Sequence, residues 1–190
     1  MPQRIVLLEP PYVFWDREMD RIREGEESVT GWGVLVLAAV AQRHGHEVAI
    51  VDAKGGGITL EEATARVTAL RPDVLGISAT TISIHNGARI AAAVKEKLPH
   101  VTTVVGGPHV SAVPEPTLAR FPEFDFGVSG EGEIAFFQLL DALAAGRPTR
   151  DILGVVGRDA EGTVHASCRA PYLDDLDSLP FPAWDLLGET

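Results

Sequence analysis

Glycine and small hydroxyl side chains follow directly after short apolar segments of this chain, where the backbone can approach a ligand closely. Gly106 and Gly107 form the clearest pair, and we expect them to leave room for something bulky and flat. Ser78, Thr80 and Thr81 follow the preceding apolar segment, and their hydroxyls can hydrogen-bond ring nitrogens or phosphate oxygens. Together these residues predict a large, partly planar and mostly uncharged ligand rather than a phosphate.

Other candidate binding residues occur in similar loops. Gly130 and Glu131 open the last predicted helix, whose free amide groups favour an anionic or hydrogen-bonding ligand. Further candidates come from the start of the first helix, the long first loop, a triple-glycine loop and the residues beside Gly107: Gly31, Tyr12, Lys54 and His109. Structural alternatives stay open, because glycines form flexible turns, aromatic loops cover their own domain, hydroxyls cap helices and Glu131 or Glu133 can balance a helix dipole.

Five apolar segments of strand length alternate with helical patterns. The first four are continuous rather than alternating, which is typical of parallel strands buried on both faces. The predicted strands are Ile5–Leu8, Val48–Val51, Val74–Ser78, Val101–Val105 and Phe124–Val128, and the predicted helices are Val34–Arg43, Leu60–Leu70, Ile84–Leu98 and Glu133–Ala145. Right-handed crossovers place all strand carboxyl ends at one edge of a doubly wound α/β sheet, so the candidate residues should meet there.

The chain divides into three parts. Residues 1–150 form the predicted domain, in which the proline-rich connection from Pro108 to Pro122 has room for one short helix near Pro116–Arg120. Residues 151–170 form a predicted hairpin extension with strands Gly154–Arg158 and Thr163–Ala166. Residues 171–190 are acidic, interrupted by proline and rich in large apolar side chains, and we expect an extended linker that packs on another surface.

Charge and cysteine content exclude several classes of protein. The 190 residues include 16 basic and 27 acidic side chains, a formal net charge of −11, which disfavours binding to nucleic acid or anionic lipid. We expect a cytoplasmic protein, because the sequence has no signal peptide and no apolar run long enough to span a bilayer. Cys168 is the only cysteine, so this chain cannot supply several thiolates to a zinc or iron–sulfur site.

Several motifs, in order and spacing, resemble the cobalamin-binding domain at the N-terminus of cobalamin-dependent radical SAM enzymes. They span nearly the whole chain: Glu9-Pro10-Pro11, residues 31–52 with Gly45-His46-Glu47-Val48, Arg71-Pro72-Asp73-Val74-Leu75-Gly76-Ile77-Ser78, Gly106-Gly107-Pro108-His109, residues 125–133, and Leu179-Pro180-Phe181-Pro182-Ala183-Trp184-Asp185.

The resemblance implies a fold, a cofactor and a binding slot. The fold is a flavodoxin-like doubly wound five-stranded parallel sheet, here with a C-terminal hairpin and an extended linker. The cofactor is cobalamin, whose detached dimethylbenzimidazole tail enters a slot formed at positions that match Ser78-Ala79-Thr80 and Gly106-Gly107.

One departure from the wider cobalamin-binding group concerns the cobalt ligand. Many members carry an Asp-x-His-x-x-Gly motif after the first strand, but residues 9–33 of this chain contain no histidine. We therefore predict base-off binding without a histidine ligand, with the lower face of cobalt open, water-bound or shielded by Tyr12 or Trp15. A cobalt without a strong lower ligand favours the nucleophilic Co(I) state, which suits methyl transfer.

The chain also lacks the Cys-x-x-x-Cys-x-x-Cys motif of radical SAM catalysis. We therefore expect no catalytic residue here, and expect S-adenosylmethionine and a [4Fe-4S] cluster only in a radical SAM catalytic domain that acts in cis or in trans. Methyl transfer is the expected reaction, although the family also includes cyclases and ring-contracting enzymes.

An NAD(P)-binding Rossmann domain of an oxidoreductase is the alternative. Gly31-Trp32-Gly33 opens a helix, and Asp52 ends the second predicted strand, as a ribose-binding acid would. Against this alternative, Val36 occupies the third glycine position, and some twenty residues separate the first strand from the glycines, where the motif requires an immediate turn.

Overall fold

The computed structural model describes residues 2–12, 31–159 and 161–187. Their strands are β1 (Arg4–Glu9), β2 (Glu47–Asp52), β3 (Val74–Ser78), β4 (Thr102–Gly106), β5 (Phe126–Val128), β6 (Val155–Arg158) and β7 (Val164–Ala166). Their α-helices are α1 (Trp32–Arg43), α2 (Leu60–Leu70), α3 (Ile84–Lys97), α4 (Pro108–Ala112), α5 (Pro114–Arg120) and α6 (Gly132–Ala144), and two 3₁₀ helices follow at Leu176–Ser178 and Trp184–Leu187.

The strands form one sheet in the order β2-β1-β3-β4-β5-β6-β7. The first five are parallel, in the 2-1-3-4-5 order of flavodoxin-like folds, which confirms the predicted fold class. The predicted hairpin continues this sheet, because β6 pairs antiparallel with β5 and then with β7. The sheet is therefore mixed, with a parallel core.

Helices cover both faces of the sheet, as continuous apolar strands require. In β1, Val6 and Leu8 pack in one core with α2, α3 and α5, whereas Ile5 and Leu7 pack in the other core with α1 and α6. The opposite orientation of successive strand side chains explains this division. A continuous apolar segment thus supplies two cores at once.

Local signals explain the ends of most helices. Thr59 caps α2 by accepting a hydrogen bond from the backbone N–H of Glu62 at 3.2 Å, and Gly45 follows α1 with φ +81°. The prediction for the proline-rich connection was wrong in its extent. Pro108 and Pro114 each begin a helix, because proline is favoured in the first helical turn, so the connection forms both α4 and α5.

The segment of residues 171–187 packs on its own domain. The backbone N–H of Ala183 donates to the carbonyl oxygen of Leu35 at 3.1 Å, and the Arg43 guanidinium donates to the carbonyl oxygen of Ser178 at 2.7 Å. Trp184 contacts Trp32 edge to face, with ring centroids 5.4 Å apart. In the described part of the chain, no helix is both long enough and apolar enough to cross a membrane.

Candidate functional site

A cleft lies at the carboxyl edge of the parallel strands, and it consists of two cavities that share lining residues. The inner cavity, of about 280 Å³, lies between the sheet and helices α1 and α6. The outer cavity, of about 340 Å³, lies beside the ends of β1 and β3. The shared lining residues are Gly33, Val34, Ser78 and Gly107. This is the edge at which the crossovers were expected to gather the candidate residues.

The inner cavity is mostly apolar. Its apolar lining comes from three parallel strands, from the end of β5 and from the two helices above them: Leu7, Val34, Leu37, Ile77, Val104, Val128 and Phe136. Ser78, Glu131 and Glu133 are its polar side chains in the described residues. Such a cavity suits a flat, largely uncharged group better than a phosphate.

Gly106 and Gly107 serve different purposes. A Cβ atom on Gly106 would meet one neighbour, the carbonyl oxygen of Val128, at an ordinary 3.7 Å, so a longer side chain would extend into the inner cavity. Gly107 has φ +93°, and its Cβ would lie 2.8 Å from the carbonyl oxygen of Ala79. Gly106 therefore keeps the cavity open, whereas Gly107 is required by the backbone.

Two further glycines widen the cleft, and neither was among the predicted binding residues. A Cβ on Gly33 would meet nothing within 4 Å, and one on Gly132 would lie 3.7 Å from Leu37. Both begin helices next to a predicted glycine, Gly31 or Gly130, within Gly-x-Gly pairs. That repeated pattern is the signal that could have identified them.

The predicted hydroxyl residues separate into two groups. Ser78 lines both cavities and Thr80 lines the outer one, where the Ser83 hydroxyl accepts a hydrogen bond from the Thr80 backbone N–H at 3.0 Å. Thr81 and His109 form a hydrogen bond with each other at 3.1 Å, and neither belongs to the described lining of the two cavities. Burial, with a smaller contribution from His85, lowers the pKa of His109.

Several polar side chains line the outer cavity, and the predicted Tyr12 and Lys54 are among them. The Lys54 Nζ atom lies 5.2 Å from the centroid of the Tyr12 ring. A hydrogen bond with Tyr12 is the main cause that raises the pKa of Lys54, and the nearby carboxylates Glu9 and Asp52 contribute. This cavity therefore presents a stable positive charge beside an aromatic ring.

Glu9 is a site residue that the sequence reasoning left out of its list. Its side chain is 8% exposed, and its Oε2 accepts a hydrogen bond from the backbone N–H of Gly31 at 2.7 Å. A Cβ on Gly31 would lie 2.5 Å from Glu9 Oε1, so the predicted Gly31 is needed for this contact. Burial is the main cause that raises the pKa of Glu9. The contact ties the start of α1 to the end of β1.

Gly130 and Glu131 line the inner cavity and also hold the C-terminal segment. Gly130 has φ +93°, its Cβ would lie 3.1 Å from Arg169 Cγ, and its N–H donates to the Ser111 hydroxyl at 3.0 Å. The Glu131 carboxylate accepts a hydrogen bond from the Leu173 backbone N–H at 2.7 Å. Both residues therefore have structural partners as well as a position at the cavity.

No histidine belongs to the described lining of either cavity. The described residues also contain no group of three or more histidine, cysteine, aspartate or glutamate side chains suited to hold a metal ion. Of the two aromatic residues proposed to shield cobalt, Tyr12 lines the outer cavity, and Trp15 lies outside the described residues.

With this geometry, a flavodoxin-like sheet and a glycine-walled apolar slot at its carboxyl edge define a domain that accommodates a large, flat ligand. The model of the B12 binding domain family matches residues 22–140, and the chain belongs to that family. It resembles in particular the N-terminal cobalamin domain of cobalamin-dependent radical SAM enzymes, as the motifs indicated.

Similar proteins agree with this assignment. An uncharacterized methyltransferase of Pyrococcus horikoshii is 35% identical over 155 residues, which are 82% of this chain and 33% of that protein. An anaerobic magnesium-protoporphyrin IX monomethyl ester cyclase of Rubrivivax gelatinosus is 31% identical over 170 residues, which are 86% of this chain and 30% of that protein. The chain thus spans about a third of the length of these relatives.

A solved structure supports the fold. The cobalamin-dependent S-adenosylmethionine radical enzyme OxsB, with aqua-cobalamin and S-adenosylmethionine bound, aligns with 98% of this chain and 25% of its own chain, with a TM-score of 0.77 and 17% identity.

The nicotinamide alternative loses its structural basis, because the strand order is not the 3-2-1-4-5 order of Rossmann folds. The Asp52 carboxylate also accepts a hydrogen bond from the Gly55 N–H at 2.6 Å within its own turn.

Proposed function

We propose that this chain binds cobalamin base-off, without a histidine ligand to cobalt, as the cofactor-holding domain of a radical SAM methyltransferase. The observation that carries the proposal is the apolar inner cavity, which Gly106 leaves open at the end of β4. The two joined cavities have the size of a cofactor site, for which roughly 300–1,000 Å³ is typical.

The residues of the cleft fit the two parts of the cofactor. The inner cavity suits the detached dimethylbenzimidazole tail, since glycine backbone at Gly33, Gly106 and Gly132 leaves space for a flat ring against apolar side chains. The Ser78 hydroxyl, at the junction of the two cavities, is available to orient the tail where it enters. The outer cavity suits the amide-bearing edge of the corrin ring, because Tyr12, Lys54 and Thr80 offer polar groups in an otherwise largely apolar wall.

The absence of histidine from residues 9–33 supports the proposed lower face of cobalt. Tyr12, which follows β1 and contacts Lys54, is the described aromatic residue suited to shield that face. The bound cofactor would supply a cobalt centre that accepts and donates a methyl group. This chain's own part is to detach and hold the tail, orient the ring and limit access of water.

A radical SAM catalytic region would complete the enzyme, in cis or in trans. Support comes from the chain's share of its relatives' length and from the names of those relatives. One relative is named a methyltransferase and another a cyclase, so methyl transfer rests on the first of these and on the proposed lower face of cobalt. We keep Lys54, Thr80, Thr81, His109, Gly130 and Glu131 as predicted binding residues.

Titration of the purified chain with hydroxocobalamin, followed by desalting and an absorption spectrum, tests the proposal. We expect the corrinoid to stay with the protein and to show a base-off spectrum. Complete loss of corrinoid on desalting would contradict cobalamin binding. A base-on or histidine-ligated spectrum would contradict the proposed coordination alone.

Variants at Gly106 test the slot. Gly106→Phe should fill the cavity and raise the Kd for cobalamin by about 10–100-fold, as overpacking by 1–3 kcal/mol would. Gly106→Ala is the matched control, because its Cβ has room, and we expect nearly unchanged binding. Cobinamide, which lacks the nucleotide tail, should bind the unchanged chain and both Gly106 variants with the same Kd. Gly107 is unsuitable for this test, since any side chain there strains the backbone.

A further inference from the structure

Glu133 places a carboxyl group in the wall of the inner cavity, in the first turn of α6. The backbone N–H groups of Gly132 and of Glu133 itself donate to this carboxyl. Its Oε2 atom is buried and has no hydrogen-bond partner among the described residues. Buried carboxylate oxygens without a partner are uncommon and costly, so this atom calls for an explanation.

Among the described residues, no lysine or arginine lines the inner cavity beside Glu133. Glu131, which carries the same charge, acts on Glu133 electrostatically. Burial is the main cause that raises the pKa of Glu133, and Glu131 adds to the effect. Balancing the dipole of α6 does not require burial, because an exposed carboxylate in the first turn also does so and keeps its hydration.

We propose that Glu133 is a specificity-determining residue of the slot, whose carboxyl forms a hydrogen bond with the nucleotide tail of the bound corrinoid. The inference rests on the proposed function, because it assigns a partner in the tail that enters the inner cavity. A ribose hydroxyl can donate to the carboxylate of Glu133, and the free nitrogen of the base can accept from the protonated carboxyl. Removal of Glu133 should then weaken binding of corrinoids with a tail and leave tail-free corrinoids unaffected.

Equilibrium titrations monitored by absorbance test the inference with cobalamin, a cobamide that carries adenine in place of dimethylbenzimidazole, and cobinamide. We expect Glu133→Leu to raise the Kd for cobalamin about tenfold and to leave the Kd for cobinamide within about twofold. Glu133→Gln, which keeps a hydrogen-bonding side chain, should have a smaller effect. Equal losses for both tailed corrinoids point to the ribose, and unequal losses point to the base.

Glu123→Leu is the matched control, because Glu123 Oε2 is also buried without a partner in the described residues and Glu123 does not line the described walls of the cavities. It should bind all three corrinoids like the unchanged chain. Thermal melting identifies any variant that fails to fold, and Glu133→Gln then carries the comparison.

Three outcomes would overturn the inference. Unchanged cobalamin binding by folded Glu133→Leu, or equal weakening of cobalamin and cobinamide, would remove Glu133 as a contact of the tail while leaving cobalamin binding intact. Failure of the unchanged chain to bind any corrinoid would instead refute the proposed function, and the inference with it.

Discussion

The two consecutive glycines at the carboxyl edge of the sheet have different structural roles. Gly106 keeps a cavity open, whereas Gly107 allows close approach of two backbone segments. The sequence predicted both positions, since paired glycines after a buried strand are unusual. It could not separate their roles, because each role depends on where a Cβ would point and on what already lies there. Those facts come from the packing of β3 against β4.

The burial of Glu9 is a second feature of a single residue that the sequence could not predict. A glutamate at the end of a strand gives no sign, in sequence alone, that its carboxylate is buried against the start of a helix. The contact with the Gly31 N–H joins residues that are 22 positions apart. Asx-type and capping patterns involve near neighbours, so no local pattern predicts it.

The buried Glu9 predicts a specific dependence of stability on pH. Because its pKa is raised above the ordinary 4.5, the folded chain binds the proton more tightly than the unfolded chain does. Stability is therefore lost as pH rises from the ordinary pKa through the folded one. Glu9→Gln lacks this loss, so its Tm relative to that of the unchanged chain should increase as the pH rises from about 4 to about 7.5.

Thermal melting of the ligand-free proteins across this pH range gives the measurement. Glu96→Gln, at an exposed position of α3, is the control and should show a small difference that does not vary with pH. A Glu9→Gln difference that stays constant or decreases with pH would show that burial does not govern this carboxyl.

Among the elements, the C-terminal segment has a packing surface that the sequence left unspecified. Residues 171–187 were expected to form an extended linker that packs on another surface, and in the structure they lie against α1 and the core of that face. Proline and acidic residues correctly indicated the absence of long regular elements. The apolar residues Leu179, Ala183 and Leu186 anchor the segment, and their contacts are visible only in three dimensions.

A charge inserted into this segment should therefore have an effect that depends on position. Ala183 is 4% exposed, and Ala183→Asp should lower the free energy of unfolding by about 2–4 kcal/mol, because the carboxylate loses its hydration without gaining a partner. Chemical denaturation measures the change. Phe181→Asp, at a position that is 94% exposed, is the control and should change stability by less than about 0.5 kcal/mol.

Equal effects of the two substitutions would mean that the segment does not dock on its domain.

The position of the hairpin likewise depends on contacts between residues that are distant in the sequence. The Arg158 guanidinium donates to the carbonyl oxygen of Phe124 at 2.6 Å and also to that of Leu118, so β6 is tied to the parallel core and to α5. The turn residues predicted the hairpin, but its place in the sheet follows from the antiparallel pairing of β6 with β5.

For the whole molecule, cysteine content bears on whether this chain could carry out radical SAM chemistry by itself. Radical SAM chemistry needs a cluster held by three cysteines, and the chain has Cys168 alone, at an exposed position. The relatives are about three times as long as this chain. We therefore expect the chain to hold a corrinoid without cleaving S-adenosylmethionine.

Incubation of the cobalamin-loaded chain with S-adenosylmethionine, dithionite and iron and sulfide for cluster assembly tests this expectation. Chromatography should detect no 5′-deoxyadenosine or S-adenosylhomocysteine above a control without protein. Catalytic formation of either product by the 190 residues would show that the chain contains reaction machinery that its single cysteine does not suggest.

The amino-acid sequence by itself determined the alternation of strands and helices, the edge of the sheet that gathers the loops, and the family. The first two features depend on local hydrophobic period and on glycine placed after strands, which short segments carry on their own, and the family was indicated by the resemblance of ordered motifs along the chain. Tertiary structure alone decided which glycines open a cavity, that Thr81 pairs with His109 outside the cavity lining, and that the Glu9 side chain and the Oε2 atom of Glu133 are buried. The physical reason is that burial and empty space are properties of several elements packed together, and residues distant in sequence define them jointly.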